Sequence, residues 1–334
     1  MKSLLGISAL LLFSMGSFAA QANRIPGPVD NSTFVPLAGN VAYQAQPQYD
    51  RGLVEAAMPM NYIVLQTQPS ASQQAALNKL LVEQQDKKSP NYHKWLTPEQ
   101  YAERFALSPS DIKKIATWLT AQGFSIVQPA RGRDWIAFSG TAAMVEAAFR
   151  TEIHYYNVDG ETHYANATEL SIPKALNGIV AAIRGIDDFK PKAMGIRSLR
   201  PWDVLPSIVN PFYNAGFGHA LAPGDIATIY DITPLYNAGI NGTGQKLVIV
   251  GQSDIHMTDI QEFRSNFGLA AKNPAVVVTG SDPGFTDDEA EADLDLEWSG
   301  AVARNAAITY VNSTNAFNSA TVVLPALATA AFER

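Results

Sequence analysis

In the first half of the chain, apolar residues recur in two patterns. A spacing of three or four residues predicts a helix, and alternation of apolar with polar residues predicts a strand. Strands are predicted at 60–66, 124–128, 135–139, 152–156, 162–165 and 178–185. Helices are predicted at 70–85, from Pro98 to Phe105, from Ser108 to Gly123 and at 141–149. Residues 23–59 show no clear period and are predicted to form an extended lead-in. Strand–helix–strand units joined by hairpins predict an α+β domain with an antiparallel sheet.

The pattern changes after residue 225, where the predicted strands become short, nearly continuous apolar runs. These runs lie at 246–251, 275–279 and 307–311, and a helix pattern separates each from the next. Strands that are apolar on both faces and alternate with helices are typical of a parallel α/β sheet. Three strands are too few for a well-covered domain of that type.

Two segments have the composition of processing or connecting sequence. Residues 1–22 begin with Lys2, continue with an apolar run and end in small residues, which predicts a secretory signal peptide cleaved between Ala19 and Asn23. The apolar run is shorter than the ~20 residues of a membrane span, so export is favoured over a membrane anchor. Residues 190–223 combine clustered lysines and arginines with prolines and glycines, and are predicted to be an exposed linker.

Composition narrows the possible chemistry. The chain of 334 residues has no cysteine, which excludes disulfides, thiol catalysis and cysteine-ligated metal centres. Residues 1–222 carry 19 Lys+Arg against 17 Asp+Glu, whereas residues 223–334 carry 5 against 14, a local net charge of −9. This difference predicts electrostatic attraction between the two parts of the chain. The net charge of −7 for the whole chain argues against nucleic acid as a partner.

The acidic segment from Thr286 to Ala303 holds the strongest candidate for catalytic residues. Thr286 and Glu289 have the spacing of a capping box, so a helix is predicted to begin here. On a helical projection Glu291 and Asp295 fall within an apolar stripe formed by Leu294, Trp298, Ala301 and Val302. The opposite, solvated face carries Glu289, Asp293 and Glu297. Two carboxylates four residues apart on a partly desolvated face raise the pKa of at least one of them, as general acid–base catalysis requires. An acidic surface helix without catalytic function is the alternative.

Other polar or aromatic groups are interpreted as structural. Tyr92, His93 and Trp95 are predicted to form a packed aromatic cluster before a helix, and His154 and His163 have no third ligand at a useful spacing. Ser253, Asp254 and His256 are adjacent in a loop, where they could not form a catalytic triad with one another. Dinucleotide-binding, P-loop and zinc-protease motifs do not occur in the sequence.

Several motifs together resemble one peptidase family. Residues 45–188 resemble an activation pro-domain in His93-Lys-Trp-Leu-Thr-Pro-Glu-Gln-Tyr101, Phe105, Trp118-Leu119 and Gly123-Phe124. Residues 225–312 resemble the start of a catalytic domain in Ile229-Tyr-Asp-Ile232, Gly242-Thr-Gly244, Val248-Ile-Val250 and Glu291-Ala-Asp-Leu-Asp-Leu-Glu297. The chain is similar in these motifs to the secreted serine-carboxyl peptidases of the sedolisin/kumamolisin family.

The resemblance implies an α+β ferredoxin-like pro-domain followed by an incomplete α/β subtilisin-like parallel-sheet domain. The implied boundaries are a signal peptide at 1–22, the activation pro-domain at 23–189, a linker with the maturation site at 190–223 and part of the peptidase domain at 224–334. It also implies a Ser-Glu-Asp mechanism acting at acid pH, in which Glu291 is the general base and Asp295 holds and polarises it. The expected partners are protein or peptide substrates and the pro-domain itself, in a chain secreted to the extracellular space or periplasm and free of the membrane after signal removal.

The sequence departs from the family in its last part. The family nucleophile occurs in a G-T-S-x-x-x-P motif that is absent here, and the nearest string, Gly140-Thr-Ala142, has no serine. The oxyanion Asp has no counterpart either, and the family calcium site would lie beyond Arg334, so no cofactor is expected in this chain. A truncated or frame-shifted reading frame and an inactive chain are therefore expected. Two alternatives stay open: a secreted pro-domain-like binding module that inhibits or assists the folding of a related protease, and an unrelated hydrolase with two carboxylates.

Overall fold

The computed structural model describes residues 21–189, 213–214, 219–279 and 281–314, which form a larger part up to residue 189 and a smaller part from residue 213. Residues 1–20 of the predicted signal peptide and most of the predicted linker lie outside these residues. The segment after residue 314 lies outside them as well. Among the residues described, no helix has the length and apolar character that crossing a membrane requires.

The larger part contains nine strands and four α-helices among its described residues. The strands are β1 (Phe34–Leu37), β2 (Asp50–Leu53), β3 (Pro59–Thr67), β4 (Ser125–Pro129), β5 (Trp135–Thr141), β6 (Ile153–Val158), β7 (Glu161–Asn166), β8 (Leu170–Pro173) and β9 (Val180–Arg184). The helices are α1 (Ala71–Gln85), α2 (Pro98–Phe105), α3 (Pro109–Ala121) and α4 (Ala142–Phe149). They begin where the sequence predicts, because Ser70 with Gln73 and Thr97 with Gln100 form capping boxes.

All sheets of the larger part are antiparallel, as predicted. β4-β5-β3-β9 form one sheet, β2-β6-β7 a second and β1-β8 a third. The predicted extended lead-in at 23–59 is wrong in part, since it contains β1 and β2. Asp111 also binds the start of this lead-in, because its buried carboxylate accepts the backbone N–H groups of Arg24 at 2.7 Å and Ile25 at 3.1 Å.

One large apolar core lies between the helices and the four-stranded sheet. Its aromatic centre comprises Trp118, Phe124, Phe138 and Phe149, all at most 3% exposed. The rings of Phe124 and Phe138 meet edge to face at 4.8 Å, and those of Trp118 and Phe149 at 5.8 Å. Edge-to-face contacts of this kind add to the free energy gained by burying the rings.

The smaller part is an α/β unit with a three-stranded parallel sheet in the order β12-β14-β13, which confirms the predicted parallel sheet. Its elements are β10 (Tyr213–Asn214), β11 (His219–Ala220), α5 (Pro223–Ile229), α6 (Thr233–Asn237), β12 (Lys246–Gly251), α7 (Met257–Asn266), β13 (Ala275–Val278), α8 (Glu289–Val302) and β14 (Ala307–Asn312).

Both connecting helices of this sheet lie on the same face. Ile260 of α7 and Leu296 of α8 pack with Tyr310, whose strand partner is Ile249. The path from β12 to β13 moves two positions across the sheet, and the path from β13 to β14 moves one position back. Two right-handed crossovers in opposite directions would place their helices on opposite faces. One of the two crossovers is therefore left-handed, an arrangement found in about 2% of such units.

Candidate functional site

The helix α8, which carries the predicted catalytic pair, is oriented differently from the sequence prediction. Its buried residues are Ala292, Leu296, Gly300 and Ala301, whereas Leu294 and Val302 of the predicted core-facing stripe are 47% and 37% exposed. The inward face is made mainly of small residues. The packing at Gly300 shows why a small residue is needed there. Arg264 of α7 donates from Nη1 to the Gly300 carbonyl at 3.1 Å, and a Cβ at Gly300 would lie 3.0 Å from that nitrogen.

The beginning of α8 also differs from the prediction. Thr286 does not form a capping box with Glu289; the N-cap is Asp288, whose N–H is bonded to the Thr286 hydroxyl at 3.2 Å. Thr286 instead contacts the loop that follows β12, where its hydroxyl donates to the Gln252 carbonyl at 3.2 Å. The start of the helix is thus held by the loop that follows β12.

Glu291 and Asp295 lie one turn apart on the outer face of α8, and both are exposed. The predicted placement of this pair on the core face is therefore wrong, while its catalytic role stays a prediction. Partial burial by neighbouring atoms raises the pKa of the Asp295 carboxyl. Desolvation is the cause of this increase, in place of the like-charge repulsion that the four-residue spacing suggested.

Asp295 borders an open groove of about 630 Å³. The lining is mainly apolar and comes from α8, the middle of β12 and the start of α5: Leu221, Ile226, Val248, Ile249, Val250, Leu294, Asp295, Trp298 and Ser299. A carboxyl group at the edge of an apolar concavity is partly desolvated and still accessible. These are the two conditions that acid–base chemistry on a bound molecule requires.

Glu297 is a perturbed carboxyl that sequence reasoning placed on the solvated face. The side chain is partly buried, and desolvation, followed by repulsion from Asp293 and Asp259, raises its pKa to about 8. The prediction failed because burial of Glu297 depends on contact between α8 and α7, which the pattern of α8 alone does not contain.

A polar cluster lies at the beginnings of α7 and α8. The imidazole of His256 bonds to Glu289 and stacks on Phe285, with ring centroids 4.1 Å apart. The bond to Glu289 is the main reason why the pKa of His256 is raised. Together with Asp259 these groups bring three potential ligand atoms within 4.8 Å of one another, so they have the geometry to hold a cation.

Ser253 and Asp254 form hydrogen bonds at the carboxyl ends of the parallel strands. The Ser253 hydroxyl accepts the Thr286 N–H at 3.0 Å and donates to the Asp254 carbonyl at 2.8 Å. Asn312, fully buried at the end of β14, donates to the Asp254 carboxylate at 2.7 Å. These bonds join the ends of β12 and β14 to the start of α8, and so fix the helix that carries Glu291 and Asp295 relative to the sheet.

Sequence comparisons show which known proteins the chain resembles. Residues 50–189 match the family model of the pro-kumamolisin activation domain. Over 293 residues the chain is 26% identical to sedolisin of Pseudomonas sp. (strain 101), covering 86% of this chain and 48% of that protein. It is 28% identical to xanthomonalisin of Xanthomonas sp. (strain T-22) over 209 residues, which cover 62% of this chain and 25% of that one.

A mammalian relative matches as well. The chain is 26% identical over 248 residues to tripeptidyl-peptidase 1 of Bos taurus, covering 70% of this chain and 42% of that protein. Together, the activation-domain match and these relatives support a sedolisin-family peptidase. It spans about half or less of the length of these relatives.

Proposed function

We propose that the chain is the precursor of a secreted, acid-acting serine-type endopeptidase. Residues 23–189 are its ferredoxin-like activation domain, and the smaller part, from residue 224 onward, is the beginning of a subtilisin-like peptidase domain. The observation that carries this proposal is the pair Glu291 and Asp295, which lie one turn apart on the outer face of α8, with Asp295 bordering an apolar groove. Similarity to sedolisin-family peptidases and the matched activation domain support it.

In the proposed mechanism Glu291 is the general base. It takes the proton of a serine hydroxyl from outside residues 21–314 while the serine oxygen attacks the carbonyl carbon of the peptide. It then gives that proton to the leaving amine, and the resulting ester is hydrolysed by water with the same residue as base. Asp295 has a raised pKa, so its carboxyl stays protonated further toward neutral pH and can donate a hydrogen bond that orients Glu291. A carboxylate base suits acid conditions, because a histidine base would be protonated there.

Two partly buried carboxyls support operation in acid. Burial raises the pKa of Asp187 to about 6 and that of Glu297 to about 8, so the neutral form of each is preferred in the folded chain. These two carboxyls therefore destabilise the folded chain less as the pH falls, because each becomes protonated. The signal peptide predicted at residues 1–22 would deliver such a protein to an extracellular or periplasmic space.

The proposal is tested by reading the gene through and beyond codon 334 in all three frames. We expect a downstream G-T-S-x-x-x-P motif and, in a protein that includes it, peptide hydrolysis at acid pH. Glu291→Gln is expected to lower kcat/KM by about 10²–10⁴-fold. Glu289→Gln is the matched control, since Glu289 with Asp293 has the same spacing on the same helix and should change the rate little.

A motif absent from every frame would contradict the proposal, as would equal losses in the two variants. The alternative in that case is a secreted binding module that inhibits or assists the folding of a related protease. The unequal cores favour it, because the large buried core lies in the first part while the described core of the second centres on Ile260, Ala292, Leu296 and Tyr310. Its test is inhibition of a sedolisin-type peptidase by the added chain.

A further inference from the structure

An exposed stack of aromatic rings stands on the loop between α1 and α2. Tyr92 stacks on His93 with ring centroids 3.8 Å apart, and His93 stacks on Trp95 at 5.7 Å. We name these three side chains the aromatic ladder. The sequence predicted a packed aromatic cluster, and the three rings do stack on one another, yet His93 is exposed and Trp95 is 55% exposed. The rings cover one another and leave the outer face of the ladder open to solvent.

The backbone beneath the ladder is held in place by the end of α1. Gln84, which is 4% exposed, accepts the His93 N–H at its carbonyl (3.1 Å) and donates from its side chain to the Lys94 carbonyl (2.6 Å). Asn91 donates to the Glu83 carboxylate at 2.7 Å. His93 adopts a φ of +53°, in the left-handed region that side chains other than glycine seldom occupy.

This arrangement is that of a preorganised contact surface. Hydrogen bonds from Gln84 fix the backbone at His93 and Lys94, and Trp95 follows directly with 55% of its side chain exposed. A tryptophan fixed in advance loses little conformational freedom when a partner covers it, which is why such residues dominate binding surfaces. Three exposed lysines, Lys87, Lys88 and Lys94, surround the ladder in sequence and make the loop basic.

We propose that the aromatic ladder is a docking surface for the acidic smaller part of the same chain. Charge complementarity identifies this partner: residues 223–334 carry 5 Lys+Arg against 14 Asp+Glu, a net charge of −9. That part also exposes bulky apolar side chains that an indole can cover, among them Phe285 at 58% and Leu294 at 47%. The inference rests on the proposed function, in which an activation domain and a peptidase domain are held together, and it specifies which surface makes the contact.

Zero-length cross-linking of the full 334-residue chain tests the contact without requiring catalysis. A carbodiimide joins a lysine amine directly to a carboxylate that touches it, and peptide mass spectrometry of the monomer band identifies the pairs. We expect links from Lys94, Lys87 or Lys88 to carboxylates of residues 223–314. Trp95→Ala should lower their yield at least fivefold. The charge reversal Lys94→Glu, at an exposed position, should lower the yield of the Lys87 and Lys88 links to the same extent. Val82→Ala is the control, because Val82 is an apolar side chain of α1 that is 72% exposed and lies outside the ladder.

The outcomes separate this inference from the proposed function. Links from these lysines that survive both Trp95→Ala and Lys94→Glu, or that occur only in a dimer band, overturn the ladder as the surface for the same chain. Links between the two parts through other lysines alone also overturn it, while leaving the precursor proposal in place. If no lysine of the activation domain is linked to the smaller part at all, this inference fails, and the precursor proposal then depends on the hydrolysis assay.

Discussion

Replacing Glu297 by glutamine should stabilise α8 near neutral pH and leave it unchanged in acid. The folded-state pKa of about 8 lies above the ordinary value of 4.5, so the folded chain binds more protons than the unfolded chain between those two values. Stability therefore falls as the pH rises through this window. Glutamine keeps the shape of the side chain but cannot ionise, so it removes the free-energy cost of having an ionised carboxylate at this position in the folded chain.

The size of the effect follows from the same values. Between pH 4.5 and pH 7, Glu297 lowers the free energy of unfolding by about 1.4 kcal/mol per pH unit, which gives an upper limit of about 3 kcal/mol at pH 7. The carboxyl keeps some contact with water, so about 2 kcal/mol is the working expectation. At about pH 4, where Glu297 is protonated in both states, the difference disappears.

Amide hydrogen exchange of peptides covering α8 measures this local stability in the full chain. At pH 7 the exchange of Glu297→Gln should be slower than that of the unchanged chain by roughly 30-fold, the equivalent of about 2 kcal/mol. At pH 4 the two should exchange alike. Glu291→Gln, at an exposed position of the same helix, is the control and should match the unchanged chain at both pH values. Equal exchange of Glu297→Gln and the unchanged chain at pH 7 would refute the reasoning, because it would mean that Glu297 ionises without cost.

Three further substitutions test the packing and electrostatics. Phe149→Ala removes a fully buried ring from the aromatic centre and should cost about 3–5 kcal/mol in denaturant unfolding of the larger part. Gly251→Ala should cost about 1–3 kcal/mol in the smaller part, because its Cβ would collide with the Tyr310 hydroxyl, whereas Gly27→Ala meets no atom within 4 Å and should be nearly neutral. Asp187→Asn should raise the thermal midpoint at about pH 7.5 by the equivalent of about 1–2 kcal/mol and leave it unchanged at about pH 3. Burial raises the pKa of Asp187 from 3.8 to about 6, which makes its ionisation in the folded chain costly. A higher midpoint at both pH values would contradict the titration.

The elements that sequence reasoning predicted correctly are those with a local signal. α1 and α2 begin at capping boxes, and their first turns are specified by residues three positions apart. β1 and β2 were missed because each is four residues long and pairs with a strand more than a hundred positions away. Such short strands are stabilised by their partners, which no window along the sequence contains.

In the candidate site, likewise, features set by neighbouring residues could be predicted and features set by other elements could not. The acidic helix could be predicted, and its two exposed carboxyls are one turn apart. Its buried face could not, because a hydrophobic projection ranks Leu294 above Gly300, whereas close approach of Arg264 requires the smaller residue. The high pKa of Glu297 likewise arises in part from Asp259 of another helix.

The strand order β12-β14-β13 has a consequence for synthesis on the ribosome. The central strand is the last of the three to be made, so β12 and β13 have no neighbour to pair with until Asn312 has left the ribosome. Until then both carry unpaired backbone groups, and the valines of β13 stay about 43–45% exposed even after pairing. Exposed edges of this kind invite pairing between chains. Residues 50–189 are synthesised earlier, so the larger part of the chain can fold before the interval in which these edges are unpaired.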